Sequence, residues 1–367
     1  HPDLPVGTSV ETPKIGRLAY GLPESVGLSS DKLKTIDSIA QEAIDQKMTP
    51  GMQILVAKKG KIVYRKNFGT LDYNPAHKVN DHTIYDLASL TKILATLPEL
   101  MRLYTKGDFR PNDTFEDLLP RLKDTNKGGM TMKEVLSHYA QFQSWIPFFN
   151  QTLDKNKKPL PEFYSTTPSD SFPTQVAKDL YLREGFTDSI YKRIDDSNLI
   201  KDKKYLYSDL PYYYFKLFIE KKTKKPLQEA VQKHFYRELG AYQLTYLPLE
   251  RFPITNIAPA EDEKTFRGQE LCGYVHDQGA ALLGGVGGHA GLFGTADDVA
   301  KMMQMYLQKG YYGGTWYLQP QAIQLFNTCN YCTEGNRRGL GFDKPQLGKA
   351  GPTCGCVPME SFGHTGF

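Results

Sequence analysis

Ser89 and Lys92 have the types and the spacing of a nucleophile and its partner base, within the segment YDLASLTK of residues 85–92. A serine hydroxyl becomes an effective nucleophile only when a neighbouring base accepts its proton. Residues three apart on a helix share one face, so an amine at 92 can reach a hydroxyl at 89. The pair predicts nucleophilic catalysis, and the alternative is a capping serine beside a solvated lysine.

The same Ser-x-x-Lys spacing occurs twice more in the chain, beginning at Ser29 and at Ser189. Ser29 precedes an amphipathic run and is interpreted as a helix cap. Ser189 lies in a polar stretch, residues 187–196, with no apolar helix after it. Ser89 differs from both, because an extended segment precedes it and a strongly apolar helix follows it. Burial in such a helix would lower the pKa of the lysine.

The composition is that of a globular protein with 367 residues, 40% hydrophobic and 23% charged, and a formal net charge of +4. This length allows one large core or two lobes that share a core. No apolar run approaches the roughly 20 residues of a membrane span, and the Lys-rich patch 221–225 indicates solvated turns. We therefore expect neither a transmembrane segment nor a nucleic-acid partner. The start at His1, without a signal-peptide pattern, indicates a mature or excised segment.

The cysteines all lie in the C-terminal part of the chain: Cys272, Cys329, Cys332, Cys354 and Cys356. The last four could form a four-thiolate zinc site. They could instead form one or two disulfides in an oxidising compartment. The single residue between the last two cysteines favours disulfides, because zinc ribbons usually have two residues there.

The sequence predicts helices and strands both before and after Ser89. Helices are expected over about residues 30–46, after Ser89, over 131–137 and 210–240, and after the cap at Thr295, with a hairpin over 52–57 and 61–68. Residues 145–204 indicate an irregular, aromatic insertion. The glycine-rich segment 282–293 predicts close backbone packing near a site. His276 and His289 are interpreted as satisfied histidines, so we expect no metal.

Two further motifs follow in the chain, Tyr207-Ser208-Asp209 and His364-Thr365-Gly366. Ser-x-x-Lys, then a Tyr-x-Asn-type element, then Lys/His-Thr-Gly is the order found in penicillin-binding proteins and β-lactamases. From about residue 20 onward the chain resembles the class C β-lactamase and D-alanyl-D-alanine peptidase branch of the penicillin-recognising serine hydrolases. Proteins of this type are fused behind glycoside-hydrolase-like domains in some bacteria.

The resemblance implies an α/β fold of the α+β type, with an antiparallel sheet flanked by helices and an inserted, mostly helical lobe. Residues 1–120 and 256–367 would form the α/β lobe, and residues 121–255 the helical lobe. Family members continue past the last motif with two strands and a helix. We therefore expect the chain, which ends at Phe367, to be truncated or disordered there.

The resemblance also implies roles at the nucleophile. Ser89 would attack a carbonyl and become acylated, Lys92 would accept its proton or hold the base, and Tyr207 would act as general base and acid. The oxyanion hole would be the backbone N–H groups of Ser89 and Phe367. His364 and Thr365 would line the carboxylate or acyl-chain side of the substrate.

Two positions depart from the family pattern. Asp209 stands where Asn is frequent, and an ionised carboxylate only accepts hydrogen bonds. It would also favour a protonated Lys92, which shifts the base role to Tyr207. His364 replaces the usual lysine and is mostly uncharged at neutral pH. These departures favour an esterase or peptidase over an efficient β-lactamase.

We therefore expect a serine hydrolase that acts through an acyl-enzyme on an ester or peptide-type amide, without a cofactor. The substrate would be a small molecule or a peptide-like acyl compound, and the location periplasmic or otherwise extracytoplasmic. The alternative is a non-catalytic module that recognises a cell-wall peptide, and a third possibility is a zinc-ribbon interaction protein. The oligomeric state is not predicted by the sequence.

Overall fold

The structure is a computed structural model that describes residues 16–346, 353 and 355–366. Within them the α-helices are α1 (Ser30–Asp45), α2 (Leu97–Lys106), α3 (Phe115–Leu118), α4 (Met132–Leu136), α5 (Phe186–Asp195), α6 (Leu210–Thr223), α7 (Leu227–Val231), α8 (Arg237–Leu239), α9 (Gln278–Leu282), α10 (Ala296–Leu307) and α11 (Pro320–Phe326). The strands are β1 (Ala19–Tyr20), β2 (Gly51–Lys58), β3 (Lys61–Gly69), β4 (Tyr85–Asp86), β5 (Tyr164–Ser165), β6 (Thr174–Ala177), β7 (Leu180–Leu182), β8 (Glu261–Glu263), β9 (Gln269–Leu271), β10 (Phe293–Gly294), β11 (Tyr311–Tyr312) and β12 (Thr315–Trp316).

Strands β2 and β3 form the predicted antiparallel hairpin. Its two-residue loop, Lys59 and Gly60, has φ angles of 51° and 74°, as a turn that matches the right-handed strand twist requires. Strand β1 pairs with β3 in parallel, so this sheet is not purely antiparallel. Helix α1 packs against β3 and α10 against β2. The sheet flanked by helices is confirmed.

The helix after Ser89 is widened into a π-helical turn, Lys92–Thr96, before it continues as α2. Pro98 explains the widening, because it has no N–H to donate to Leu94 one helical turn earlier. The N–H of Leu97 bonds to the carbonyl of Lys92, five residues back. The apolar helix is confirmed, and the π-helical turn was not predicted.

Two tyrosine hydroxyls satisfy the carbonyls that the π-helical turn leaves free. Tyr306 donates to Ile93 O over 2.6 Å, and Tyr236 donates to Leu94 O over 3.0 Å. Every residue from Lys92 to Thr96 is buried. Unpaired buried carbonyls are costly, so these bonds fix the widened turn that carries Lys92.

Helix α5 contradicts the interpretation of residues 187–196 as a polar stretch. Phe186, Ile190 and Ile194 are spaced four apart and are buried on one face. The polar residues on the opposite face concealed this spacing. Ser189 is exposed within α5, and Lys192 pairs with Asp196 over 2.9 Å rather than with the serine.

Helix α6 crosses the core and begins directly after Asp209. Its buried residues include Tyr212, Tyr213 and Tyr214, so it is apolar nearly all round. One continuous hydrophobic cluster contains residues from α2, α6 and α10. The lobe boundaries at residues 120 and 255 therefore remain a prediction.

The glycine-rich segment packs closely against the elements at the nucleophile, as predicted. A side chain at Gly288 would bring its Cβ within 2.2 Å of Tyr212 O. The Gly288 carbonyl also accepts a hydrogen bond from Thr96 Oγ1 over 2.6 Å. Predicted caps are confirmed at Ser29, Thr131 and Thr295, whose side chains accept backbone hydrogen bonds in the first turns of their helices.

The cysteines form disulfides in the described part of the chain. Cys329 is joined to Cys332, and Cys356 is also disulfide-bonded, whereas Cys272 is free. Cys354 lies outside the described residues. The disulfide interpretation is confirmed for the first pair, and the zinc interpretation is wrong there. No helix in the described residues is long and apolar enough to cross a membrane.

Candidate active site

Ser89 stands on a turn that joins β4 to the π-helical turn. Ala88, just before it, has a φ of 44°, which a residue other than glycine rarely adopts. Asp86 holds this turn, because its carboxylate accepts the N–H of Ala88 over 2.8 Å and that of His276 over 2.7 Å. Burial raises the pKa of Asp86 above its usual range. The strained turn aims Ser89 away from the strand.

The side chain of Lys92 is completely buried, and its ammonium group lies close to three oxygens. Nζ lies 2.7 Å from Ser89 Oγ, 2.7 Å from Asp209 Oδ1 and 3.1 Å from His289 O. Burial alone would lower the pKa of Lys92, but Asp209 and Tyr207 outweigh it and raise that pKa above its usual value. Lys92 is therefore a cation that holds the serine.

Tyr207 and Asp209 are positioned by the segment before α6. Asp209 N–H donates to Ser144 O over 2.9 Å, and Ser208 Oγ donates to Gln143 O over 2.6 Å. The Tyr207 ring centroid lies 5.1 Å from Lys92 Nζ. The structure thus brings Ser89, Lys92, Tyr207 and Asp209 together.

His138 forms the wall behind Tyr207. Its ring centroid lies 4.7 Å from that of Tyr207, and its Nδ1 accepts the N–H of Ser208 over 3.2 Å. Burial, together with the positive charges of Arg338 and Lys92, lowers its pKa well below the usual value. His138 is therefore a neutral imidazole that positions the tyrosine segment.

The C-terminal motif also lies next to Tyr207. The His364 ring centroid lies 5.7 Å from the Tyr207 ring centroid. Burial and the charge of Arg338 lower the pKa of His364 to about 3, so this ring is neutral. A Cβ on Gly366 would lie 2.8 Å from Leu87 O, next to the nucleophile turn. Thr365 is exposed.

Phe367, predicted to complete the oxyanion hole, lies outside the described residues. The other proposed donor, the N–H of Ser89, is at the end of the strained turn. The assignment of an oxyanion hole to Ser89 and Phe367 therefore stays a prediction.

Arg338 is a site residue that sequence reasoning missed. It is 4% exposed, and its Cζ lies 5.1 Å from the centroid of the Tyr207 ring. Its Nε is 3.5 Å from Asp343, and Nη1 has no hydrogen-bond partner among the described residues. Asn336 fixes its backbone, accepting the Arg338 N–H over 3.0 Å.

The signal for Arg338 was two adjacent arginines, Arg337 and Arg338, directly before the apolar run Gly339-Leu340-Gly341. Arg337 pairs with Asp343, with Nε at 2.8 Å from Oδ1. Of these two arginines, only Arg338 has its guanidinium group over the Tyr207 ring. A guanidinium that is buried with an unused N–H can bind an anion with little competition from water.

Asp277 and His289 form a second pair beside Lys92. Asp277 Oδ1 lies 2.8 Å from His289 Nε2, and the carbonyl of His289 is the third acceptor of Lys92. The His289 ring stacks on Tyr213 at 4.4 Å. His276 pairs instead with Glu261 over 2.9 Å. Each histidine has a carboxylate partner, but Nδ1 of His289 is buried without a hydrogen-bond partner in the described residues, so the interpretation as satisfied residues holds only in part.

The sequence matches the Beta-lactamase family over residues 36–367. A protein of Escherichia coli (strain K12) named "Putative D-alanyl-D-alanine carboxypeptidase" is 29% identical over 392 residues, covering 99% of this chain and 84% of that protein. A penicillin-binding protein homologue from Caulobacter crescentus has a TM-score of 0.64 at 16% identity, covering 93% of this chain and 87% of that chain. A class C β-lactamase from Rhodobacter sphaeroides has a TM-score of 0.57 at 13% identity, covering 80% and 70%.

The chain belongs to the Beta-lactamase family, since the match covers most of its length. The resemblance and the fold class are both confirmed. The chain is accordingly a serine hydrolase related to the β-lactamases and penicillin-binding proteins. The roles of the individual site residues stay predictions.

Proposed function

We propose that this serine hydrolase removes the C-terminal residue from a peptide that ends in a free carboxylate, as a D-alanyl-D-alanine carboxypeptidase does. The observation that carries the proposal is Arg338, a buried cation with an unused N–H beside Tyr207 and the neutral His364. The name of the Escherichia coli relative supports the same reaction.

Tyr207 serves as the base in this proposal, because the pKa of Lys92 is raised above its usual value and its ammonium group already lies close to three oxygens. Tyr207 has to start as a phenolate for this role. As Ser89 Oγ bonds to the peptide carbonyl carbon, the serine proton moves to the phenolate oxygen and Tyr207 becomes a phenol. The backbone N–H groups of Ser89 and Phe367 stabilise the resulting oxyanion. The C–N bond then breaks, and Tyr207 returns the proton to the leaving amine.

Deacylation repeats these steps with water. Tyr207 takes a proton from a water molecule as the water oxygen attacks the ester carbonyl. Tyr207 then gives that proton to Ser89 Oγ as the ester C–O bond breaks. The cations Lys92 and Arg338, each about 5.1 Å from the ring, would stabilise the Tyr207 phenolate, which is restored when the proton passes to the leaving amine or to Ser89 Oγ. His364 and Thr365 line the leaving-group side.

Arg338 supplies the positive charge that the neutral His364 lacks. A guanidinium presents paired N–H donors that match a carboxylate. The terminal carboxylate of the leaving residue would therefore dock on Arg338, which orients the scissile bond toward Ser89. Simple esters lack this contact and are expected to be weaker substrates.

Asp209 argues against efficient β-lactam cleavage. A carboxylate there cannot donate a hydrogen bond to the acyl amide carbonyl of a β-lactam, as an asparagine could. The Cys329–Cys332 disulfide supports an extracytoplasmic, for example periplasmic, location. Peptide-like acyl compounds are thus the substrates that we propose, in a cell-wall context.

The test measures release of D-alanine from peptides that end in D-Ala-D-Ala, with free and with acetylated amino ends, and burst release from a chromogenic ester. The wild type should release D-alanine and give one burst equivalent per chain, and Ser89→Ala should give neither. Ser29→Ala is the matched control, because Ser29 has the same spacing to a lysine but caps α1. If Ser89→Ala retains the burst, or no probe acylates the wild type, the non-catalytic alternative replaces the proposal.

A further inference from the structure

A disulfide joins Cys329 to Cys332 shortly after α11. It begins a tight turn, the disulfide loop, over residues 329–336. Cys332 is exposed and Cys329 is half-buried, so a thiol from solvent can reach the pair. Exposed disulfides are reduced more readily than buried structural ones. The redox state of this pair can therefore change while the buried core stays intact.

The disulfide loop is docked on the segment around His138. The Tyr331 ring stacks on the Tyr139 ring, with centroids 4.5 Å apart. Asn336 Nδ2 donates to Ser137 O over 2.8 Å, and Asn336 is fully buried. These two contacts fall on the residues before and after His138, the wall behind the proposed base. The loop therefore touches the site without contributing a reacting atom.

Asn336 connects the disulfide loop to Arg338. The Asn336 N–H donates to Tyr331 O over 3.0 Å, and Asn336 Oδ1 accepts the N–H of Arg338 over 3.0 Å. Cys329 Sγ lies 3.1 Å from Asn336 O, a packing contact, because a disulfide sulfur has no proton to donate. The closed loop thus fixes Asn336 from three directions. The place of Arg338 over the Tyr207 ring follows from that of Asn336.

We propose that the Cys329–Cys332 disulfide is a redox-sensitive clamp that positions Arg338 for the terminal carboxylate of the substrate. In the oxidised enzyme the closed loop holds the guanidinium over the Tyr207 ring. Reduction opens the loop, Arg338 loses its fixed position, and peptides that end in a carboxylate become poorer substrates. The nucleophile and its lysine belong to other elements, so an ester without a carboxylate still acylates the enzyme.

The reductant is a dithiol. Its first thiolate attacks the sulfur of the exposed Cys332, and the S–S bond breaks as Cys329 leaves as a thiolate. The second thiolate of the reductant then displaces Cys332. The reductant ends as a disulfide, and the two cysteines have gained two electrons and two protons. An oxidising compartment, as proposed for this enzyme, keeps the clamp closed.

The inference rests on the proposed function, in which Arg338 binds the carboxylate, and adds a condition to it. Selectivity for peptides that end in a carboxylate requires the oxidised loop. The carboxypeptidase reaction can fail while the clamp exists, so one of the two measurements below requires no turnover.

Kinetics with two substrates measure the clamp: a peptide that ends in D-Ala-D-Ala and a chromogenic ester without a carboxylate. With dithiothreitol, kcat/KM for the peptide should fall about tenfold, and that for the ester should change less than about twofold. Reoxidation should restore both values. The double variant Cys329→Ser/Cys332→Ser should match the reduced wild type and show no response to dithiothreitol. Equal selectivity in the oxidised, reduced and double-serine enzymes overturns the inference, even when D-alanine is released.

Cys356→Ser is the matched control, because Cys356 is also disulfide-bonded. This variant should keep the wild-type selectivity and its response to dithiothreitol. A response that persists in the double-serine variant assigns the effect to another cysteine and overturns the clamp. Thermal melting checks the fold of each protein. If the reduced wild type and the double-serine variant are both unfolded, the disulfide only supports the fold, and the inference is overturned.

Backbone hydrogen exchange measures the clamp without turnover. In the oxidised enzyme the Arg338 N–H is bonded to Asn336 Oδ1 and should exchange slowly. Reduction should speed exchange over residues 331–338 about tenfold and leave α10 unchanged. Faster exchange in an enzyme that releases no D-alanine supports the clamp and contradicts the proposed function. Unchanged exchange overturns the clamp, and release of D-alanine by the same enzyme would leave the proposed function standing.

Discussion

Two buried cations face the same tyrosine from separate parts of the chain, and they differ in how they are satisfied. Lys92 Nζ and Arg338 Cζ both lie 5.1 Å from the centroid of the Tyr207 ring. Lys92 contacts three oxygens, on Ser89, Asp209 and His289. Arg338 has only Asp343 at 3.5 Å and an unused Nη1 in the described structure.

The site therefore has a fixed cation, Lys92, and a cation with unused donors, Arg338. The Lys92 ammonium, held close to three oxygens, keeps its position and supplies constant positive charge to Ser89 and Tyr207. A guanidinium with unused donors carries a desolvation cost that a bound carboxylate can offset. We therefore propose that Lys92 acts on the reacting atoms and that Arg338 binds the substrate.

Replacing Lys92 by Met should give the largest effect. The change leaves Asp209 without its cation, and breaking a buried ion pair costs about 3–5 kcal/mol. Because the Asp209 side chain is 25% exposed, we expect a loss of about 2–3 kcal/mol, measured by urea unfolding. Acylation of Ser89 should fall about 10³-fold. Unchanged stability would show that Lys92 is not tied to Asp209.

Replacing Arg338 by Met should leave stability within about 1 kcal/mol, since the guanidinium is poorly satisfied. The value of kcat/KM should fall about 100-fold for a substrate with a free terminal carboxylate, but change little for an ester without one. Parallel assays of the two substrates measure this selectivity.

Arg337→Met is the matched control for Arg338→Met. Arg337 is adjacent in sequence and pairs with the same Asp343, but its Cζ lies over Tyr205 instead of Tyr207. The Arg337→Met variant should retain the preference for the substrate with a free terminal carboxylate. If both variants lose that preference equally, Arg338 has only a structural role.

Local features were predictable from the sequence. The contact between Ser89 and Lys92 depends on residues three apart, and the hairpin depends on the turn at Lys59 and Gly60, so short-range patterns were sufficient. The caps at Thr131 and Thr295 follow from side chains at fixed offsets. Asp209 was correctly expected to favour a charged Lys92, because the Tyr207-Ser208-Asp209 motif placed Asp209 next to Lys92.

Features set by tertiary packing were not predictable. Arg338 reaches Tyr207 because Asn336 bonds to Ser137 O over 2.8 Å, a contact between distant segments. The polar face of α5 concealed its apolar spacing. The π-helical turn depends on the missing N–H of Pro98 and on hydrogen bonds from Tyr236 and Tyr306, which are far away in the chain.

The charge state of Lys92 decides whether Lys92 or Tyr207 can be the base. Nitrogen-15 NMR of the lysine side chains, assigned with a conservative Lys92→Arg variant, would follow Nζ through a pH titration. Since Asp209 and Tyr207 raise the pKa of Lys92 above its usual 10.5, the signal should keep an ammonium shift across the whole range of enzyme activity. A titration of Lys92 near neutral pH would overturn the role of Tyr207 as the base and return that role to the lysine.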